Sequence, residues 1–224
     1  MDTASKDVLF TIAMKLKLPD LLRWCSSNAR INKDVCNNDN VWRSKLLQDY
    51  PDYQTFGINR TLRETYVFMY QLSWIKEKLN TNESLYDIFL RKQINLSGKR
   101  LTKVPAFDLP NLRVLYLQYN SLSEVPAFVL PELQILYLNN NNLTAVPVFN
   151  LPELQELSLR NNSLTAVPAF NLPNLRVLYL QFNNLTAVPV FNLPNLQELN
   201  LRSNKLTAEE NREIKEKYGI RVRL

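Results

Sequence analysis

Histidine is absent from this 224-residue sequence, glycine occurs three times and cysteine twice. Each shortage closes off a kind of chemistry. Without histidine there is no Ser-His or Cys-His couple, no imidazole base, and most transition-metal sites lose their usual ligand. Three glycines cannot build a glycine-rich phosphate cradle. Cys25 and Cys36 are too few for a zinc cluster and form no Cys-x-x-Cys pair. Both fall at predicted helix-core positions and are expected as reduced, buried thiols rather than a disulfide. No metal, no cofactor and no catalytic residue is expected, and the chain reads as a non-enzyme. No apolar run approaches the length of a membrane span, and Met1–Lys6 has no signal-peptide pattern. An intracellular, non-secreted protein without a membrane partner is expected, so that triplets such as Asn142-Leu143-Thr144 carry no glycan. The net charge of +6 divides as +2 over residues 1–91, +3 over 92–205 and +1 over 206–224. A nucleic-acid footprint needs a basic patch or stripe, and this charge is spread, so no nucleic-acid partner is expected.

What the chain has is a tandem repeat from Gln93 to Leu206. Leu112, Leu133, Leu154, Leu175 and Leu196 recur every 21 residues, as do Pro110, Pro131, Pro152, Pro173 and Pro194. Asn120, Asn141, Asn162, Asn183 and Asn204 keep the same step, inside a frame LxxLxLxxNxLxxVPxFxLP. Period and residue type match the leucine-rich-repeat pattern. A degenerate copy precedes the five regular ones, with Ile94, Leu96, Leu101, Val104, Pro105 and Phe107 in frame. Its asparagine position is Lys99 and its first leucine position is Arg91.

The frame dictates a solenoid. No repeat can bury its apolar row alone, so copies must stack. Pairs such as Leu115 and Leu117 are the inward positions of a short strand, because strand side chains alternate between faces. The strands are predicted to run parallel on the concave side. The asparagine column belongs with backbone groups where each strand bends away. Phe107, Phe128, Phe149, Phe170 and Phe191 form a second buried column on the convex side. The Val-Pro and Leu-Pro pairs push the connecting segments toward extended geometry or single turns.

Outside the repeats the periodicity is helical. Val8, Leu9, Ile12 and Leu16 mark a first helix over Asp7–Leu16. Pro19 opens a second, with Leu18, Leu21, Leu22 and Cys25 on its buried side. A third, about Ala29 to Cys36, presents Ile31 and Val35. The polar turn Asn37–Asn40 leads into a fourth through Trp42, Leu46 and Leu47, ending at Tyr50-Pro51. Thr61 and Glu64 form a capping box for a helix over Leu62–Leu79. Its aromatic residues admit a ligand groove or, the preferred reading, a collar over the first repeat. Ser84–Leu90 makes a short helix with Leu85, Ile88 and Phe89 inward. At the far end Thr207 and Glu210 cap a helix to about Tyr218, ended by Gly219, and Ile220–Leu224 is expected to add a closing strand.

Residues 7–47 resemble an F-box: Asp7 before an apolar helix, Leu18-Pro19-x-Leu21-Leu22, an apolar third helix, and Val41-Trp42 after an Asn/Asp turn. The whole layout resembles the F-box/leucine-rich-repeat proteins of amoeba-infecting giant viruses. Two features depart from the family: Ala4-Ser5 stands where it usually has Leu-Pro, and the turn before Trp42 is one residue longer. The resemblance implies an α/β chain in four parts: residues 1–50 an F-box-like domain, 51–91 a helical linker and N-terminal cap, 92–205 the repeats, and 206–224 a C-terminal cap. It implies docking on a Skp-family adaptor of a cullin ubiquitin ligase through Leu9, Ile12, Leu18, Pro19, Leu21, Leu22 and Trp42, in the host cytoplasm or nucleus. A target protein would sit on the concave positions that alternate with the buried leucines: Val114, Tyr116, Gln118; Ile135, Tyr137, Asn139; Glu156, Ser158, Arg160; Val177, Tyr179, Gln181; Glu198, Asn200, Arg202. Exposed tyrosine beside aliphatics is an interface-like composition. The alternatives are a repeat that copies its surface with no ligand selected, and a protein-binding scaffold, consensus-like or engineered, whose F-box-like region is only a cap.

Overall fold

A computed structural model describes residues 5–218 and 221–224. The chain divides into two compact units, one ending at Ile88 and the other beginning at Phe89.

The first unit is helical. Helix α1 (Lys6–Lys15) starts at Ser5, whose hydroxyl accepts from the Val8 N–H. Helix α2 (Leu18–Ser27) carries Pro19 in its first turn, where the missing N–H has no intrahelical partner to lose. Helix α3 (Ala29–Ile31), capped by Asn28, runs on as a π-helical turn over Asn32–Cys36. Helix α4 (Asp39–Asp49) is capped by Asn38. A 3-10 turn over Tyr53–Phe56 ends on Gly57 at φ 59°, a left-handed conformation that suits glycine. Helix α5 (Leu62–Leu79) begins with the expected Thr61/Glu64 capping box and ends on left-handed Asn80. Helix α6 (Leu85–Phe89) is the expected short one, although Ile88 alone of its three apolar residues is fully buried.

Leu9, Ala13, Leu18, Leu21, Ile31, Val35, Val41, Trp42 and Leu46 form the core of α1–α4, with the Trp42 indole N–H donating to the Cys36 carbonyl at 2.9 Å. The cysteines correct the expectation of free thiols. Cys25 and Cys36 are joined as a disulfide, their Cα atoms 5.9 Å apart, a separation a disulfide spans without backbone movement. The sequence puts each on a buried helix face. It does not show that α2 and the π turn bring those faces together.

In the second unit every repeat supplies one three-residue strand: β1 (Gln93–Asn95), β2 (Val114–Tyr116), β3 (Ile135–Tyr137), β4 (Glu156–Ser158), β5 (Val177–Tyr179) and β6 (Glu198–Asn200). They pair in parallel and in chain order, with Leu115, Leu136, Leu157, Leu178 and Leu199 in one register row. The result is a parallel β-solenoid of about six turns. The degenerate first copy takes its place in the stack, with Ile94 facing Leu115. The convex segments hold no helix among the described residues, only turns and two isolated bridges. The phenylalanine column stacks, with Phe107–Phe128, Phe149–Phe170 and Phe170–Phe191 ring centroids 5.8, 6.2 and 5.7 Å apart.

The asparagine column is a hydrogen-bond ladder. Asn162 is typical. Its Oδ1 accepts from the Leu143 N–H of the preceding repeat at 3.0 Å. Its Nδ2 donates to Leu159 O at 3.1 Å and to Leu138 O, one repeat back, at 3.0 Å. Asn141, Asn183 and Asn204 make the same three bonds. The residue before each ladder asparagine is left-handed, namely Tyr119, Asn140, Asn161, Phe182 and Ser203, and so is Gly98 before Lys99, which stands at the asparagine position of the first copy.

Helix α7 (Ala208–Tyr218) closes the stack behind the Thr207/Glu210 capping box. The Tyr218 ring continues the phenylalanine column against Phe191, and its hydroxyl accepts from the Phe191 N–H at 2.9 Å. Strand β7 (Arg221–Arg223) is the expected closing strand, paired to β6. The expected stop at Gly219 lies outside the described residues.

Candidate functional site

The concave face follows from strand alternation. In each of β2–β6 the middle leucine points inward, so its two neighbours point to the open face, and a third concave position follows the second buried leucine. The structure brings the predicted positions together as three rows across the sheet. The first runs Val114, Ile135, Glu156, Val177, Glu198, and the middle runs Tyr116, Tyr137, Ser158, Tyr179, Asn200. The third runs Gln118, Asn139, Arg160, Gln181, Arg202, set by backbone bonds at the strand exits such as Asn140 N–H to Arg160 O and Phe182 N–H to Arg202 O.

The rows are not uniformly open. Ser158, Asn200 and Gln181 are buried, which corrects their reading as solvent-facing. The cause is neighbour length. Ser158 stands between Tyr137 and Tyr179, Asn200 between Tyr179 and Arg223, and Gln181 between Arg160 and Arg202. The Tyr116 and Tyr137 rings lie 5.3 Å apart.

The acidic residues of this face are already engaged. The Tyr137 hydroxyl donates to Glu156 at 2.7 Å, and Arg223 pairs with Glu198 at 3.4 Å. Partial burial, reinforced by the Glu156 hydrogen bond, holds the Tyr137 phenol well above the usual tyrosine range. Burial and the neighbouring Glu198 and Glu156 carboxylates raise Tyr179 in the same sense. The third row keeps its positive charge: no carboxylate pairs with Arg160 or Arg202 among the described residues, and the Arg160 guanidinium lies over the Phe182 ring at 5.3 Å. The side-chain carbonyls of Gln118 and Gln181 are shielded and accept no hydrogen bond.

Two leucine-rich-repeat family models match this region, one over residues 111–130 and a two-copy form over 131–172, 152–190 and 173–212. Residues 111–212 are leucine-rich repeats. No curated protein sequence matches the chain. Among solved structures it is similar to YopM from Yersinia enterocolitica, with 26% identity over 64% of this chain and 38% of that one and a TM-score of 0.42. It is also similar to a leucine-rich-repeat protein of Leptospira interrogans, with 27% identity over 59% of this chain and 48% of that one and a TM-score of 0.39. The chain spans less than half the length of either. Leucine-rich repeats suggest a protein-interaction scaffold.

The residues predicted to dock an adaptor divide by burial. Leu9, Leu18, Leu21 and Trp42 lie in the core of the helical unit, whereas Ile12 and Leu22 are partly open and Pro19 is exposed. Val8 and Leu47 are further exposed apolar residues on α1 and α4. The departure at Ala4 lies outside the described residues.

The aromatic face of α5 borders a cavity of about 430 Å³, lined among others by Tyr50, Tyr66, Tyr70 and Trp74. Its floor holds a group that the sequence reading missed, Lys45, which is only 1% exposed. The Lys45 ammonium donates to Leu16 O at 2.9 Å and Met14 O at 3.4 Å and pairs with Asp49 at 3.4 Å. Met14 and Leu16 end α1, whose last carbonyls have no helical donor, so Lys45 is the cap of that helix. Asp49 also accepts from the Tyr66 hydroxyl at 2.5 Å; burial first, and then this bond, raise the Tyr66 pKa. A lysine on an apolar helix face is the signal that finds this site: Val41, Trp42, Lys45 and Leu46 share the buried side of α4.

Proposed function

We propose that the chain is a non-catalytic interaction adaptor whose concave sheet face holds a target protein. The observation that carries this reading is the set of rows Val114-Ile135-Val177 and Tyr116-Tyr137-Tyr179, which places half-open aliphatic and aromatic side chains side by side on a rigid sheet. Such residues present a large contact area at little ordering cost. Gln118, Asn139, Glu156, Arg160, Gln181, Glu198 and Arg202 surround them with polar groups. Residues 51–91 serve, on this reading, as the N-terminal cap of the repeats, and the protein works inside the cell.

For the helical unit, the F-box resemblance supports docking on a Skp-family adaptor of a cullin ubiquitin ligase. Ile12, Pro19 and Leu22 are the accessible members of that set, and Val8 on α1 and Leu47 on α4 add exposed apolar side chains; Leu9, Leu18, Leu21 and Trp42 hold the fold beneath. A second reading, in which this unit only caps a protein-binding scaffold, draws support from that same core placement and from the Cys25–Cys36 disulfide. Disulfides are rare in the reducing compartments where ubiquitin ligases act. The free-thiol argument for an intracellular protein is correspondingly lost.

Calorimetry with a purified Skp-family adaptor separates the two readings, run with and without reductant on the wild type and on Ile12→Asp, Leu22→Asp. These positions spare the core, so circular dichroism should show the variant folded. Micromolar or tighter binding, lost in the variant, supports the adaptor reading. A folded wild type that fails to bind in either redox state leaves the scaffold reading.

A further inference from the structure

The reading of the concave face as a protein-binding surface leaves the chemistry of the bound segment open. We propose that the segment is acidic and held in a polyproline II conformation, with carboxylates at positions i and i+3 set on Arg160 and Arg202. This rests on that reading and adds charge, spacing and backbone conformation to it.

Charge comes first. Glu156 is held by the Tyr137 hydroxyl and Glu198 by Arg223, whereas Arg160 and Arg202 are exposed and have no carboxylate partner among the described residues. An approaching chain therefore meets two uncompensated guanidiniums on one edge of the face. Guanidinium recognises carboxylate with paired N–H donors, which favours an acidic side chain at each.

Spacing comes next. Arg160 and Arg202 are two strands apart, and parallel strands repeat at about 4.8 Å, so the pair is separated by roughly 9–10 Å. A β-extended ligand brings side chains to one face every ~6.8 Å and misses that step. A polyproline II helix has three residues per turn and a rise of ~3.1 Å, so i and i+3 share a face about 9.3 Å apart. The strands are three residues long and the sheet is seven strands across, so the long axis of the face lies along the row of arginines.

The surroundings suit that conformation. Polyproline II segments dock on aromatic-lined grooves, because the ligand is already ordered and rings pack on its ridges. Here Tyr116 and Tyr137 form one ridge and Tyr179 another, and the small Ser158 leaves a dip between them. Tyr119 and Phe182 add 65% and 48% exposed rings at the strand exits. They hold left-handed φ angles of 59° and 58°, a conformation that a bulky side chain adopts under strain. Asparagine occupies the same position at Asn140 and Asn161, where it tolerates that geometry. The strained aromatics follow Gln118 and Gln181, the two side chains whose carbonyls lack a donor. A ligand backbone N–H that draws these carboxamides outward would supply one.

Three fluorescein-labelled dodecapeptides of equal length test the idea against the full chain by anisotropy: a proline-rich peptide with glutamates three apart, one of identical composition with the glutamates adjacent, and the spaced peptide with lysine for glutamate. The spaced acidic peptide should bind about tenfold tighter than the adjacent one, and the lysine peptide should not bind. Arg160→Glu, Arg202→Glu should lose the acidic peptide and acquire the lysine peptide. Equal affinity for the two acidic peptides would overturn the backbone assignment. An unaffected double variant would overturn the anion site. Displacement of the peptide by an equal concentration of a dT oligonucleotide would give the site to nucleic acid and overturn the proposal. A random dodecapeptide display library, panned on the wild type and on Tyr137→Arg, Val177→Arg, separates this inference from the reading beneath it. Binders lost on the variant but lacking paired acids would overturn the inference and leave the protein-binding face. No binder lost on the variant would overturn both.

Discussion

Replacing Asn162 by alanine tests whether the ladder holds the solenoid together, and the cost can be worked group by group. The Leu143 N–H loses its acceptor outright, and it is buried. An orphaned buried donor costs about 1–3 kcal/mol. The carbonyls fare better, and Arg160 O, a third acceptor of the Asn162 Nδ2 at 3.3 Å, keeps the Asn140 N–H. Leu138 O keeps the Nδ2 of Asn141, and Leu159 O keeps the Nδ2 of Asn183. Each loses one of two bonds, worth about 0.5 kcal/mol or a little more apiece. The sum is about 2–4 kcal/mol, dominated by one N–H. Urea unfolding followed by circular dichroism reads the total, and amide exchange reads the cause, since the Leu143 amide should lose protection while the Leu122 amide, on Asn141, keeps it. Asn161→Gly is the control: the Asn161 side chain bonds only Asn140, on the surface, and its left-handed backbone suits glycine, so the change should stay below about 1 kcal/mol. A loss below about 1 kcal/mol in Asn162→Ala, with Leu143 still protected, would refute the ladder as a source of stability.

Three further outcomes follow from the packing. Leu157→Ala, fully buried in the central strand, should cost about 2–5 kcal/mol in the same urea experiment. Opening the Cys25–Cys36 bond with dithiothreitol, or replacing both by serine, should lower the stability of the helical unit by roughly 2–3 kcal/mol, the value for so short a loop; an unchanged midpoint would contradict it. Tyr66, Tyr137 and Tyr179 titrate above the ordinary tyrosine range when folded. Above about pH 10 the unfolded phenols release protons that the folded ones keep, so stability should fall as pH rises through that value. Tyr137→Phe should flatten that slope, and an unchanged slope would show that Tyr137 titrates normally.

Much of the fold was legible because the repeat states its own geometry. A 21-residue step with two prolines and one Leu-x-Leu fixes a three-residue strand and leaves no length for a convex helix. Asparagine at the strand exit has the donors and the acceptor that a bent backbone needs. The capping boxes at Thr61 and Thr207 were equally readable, being local chemistry. What stayed hidden depends on contacts between segments. The disulfide needs α2 and the π turn side by side. The Lys45 cap joins α4 to the end of α1 across 29 residues of sequence. On the concave face, alternation names the rows correctly, but openness depends on the length of neighbouring side chains, and so Ser158, Gln181 and Asn200 read as exposed when they are not. The docking residues of the helical unit show the same limit, since a leucine at a helix face carries no mark of whether it serves the core or a partner.

The ladder's sharing of carbonyls also says how such a chain can change its length. Leu117, Leu138, Leu159 and Leu180 each accept from two asparagines, their own and the next copy's, so every bond straddles a junction and each junction is chemically the same. Excise residues 141–161, and Asn162 stands three residues after Leu138 and one copy after Leu117, with the Leu122 N–H waiting for its Oδ1. No donor is stranded and no acceptor is left over. A cut of twenty residues, or of ten, would break the register of every strand beyond it. Recombination between copies can therefore lengthen or shorten this array in whole steps without breaking the ladder, and each step adds or removes one member of every row on the face that a partner would meet.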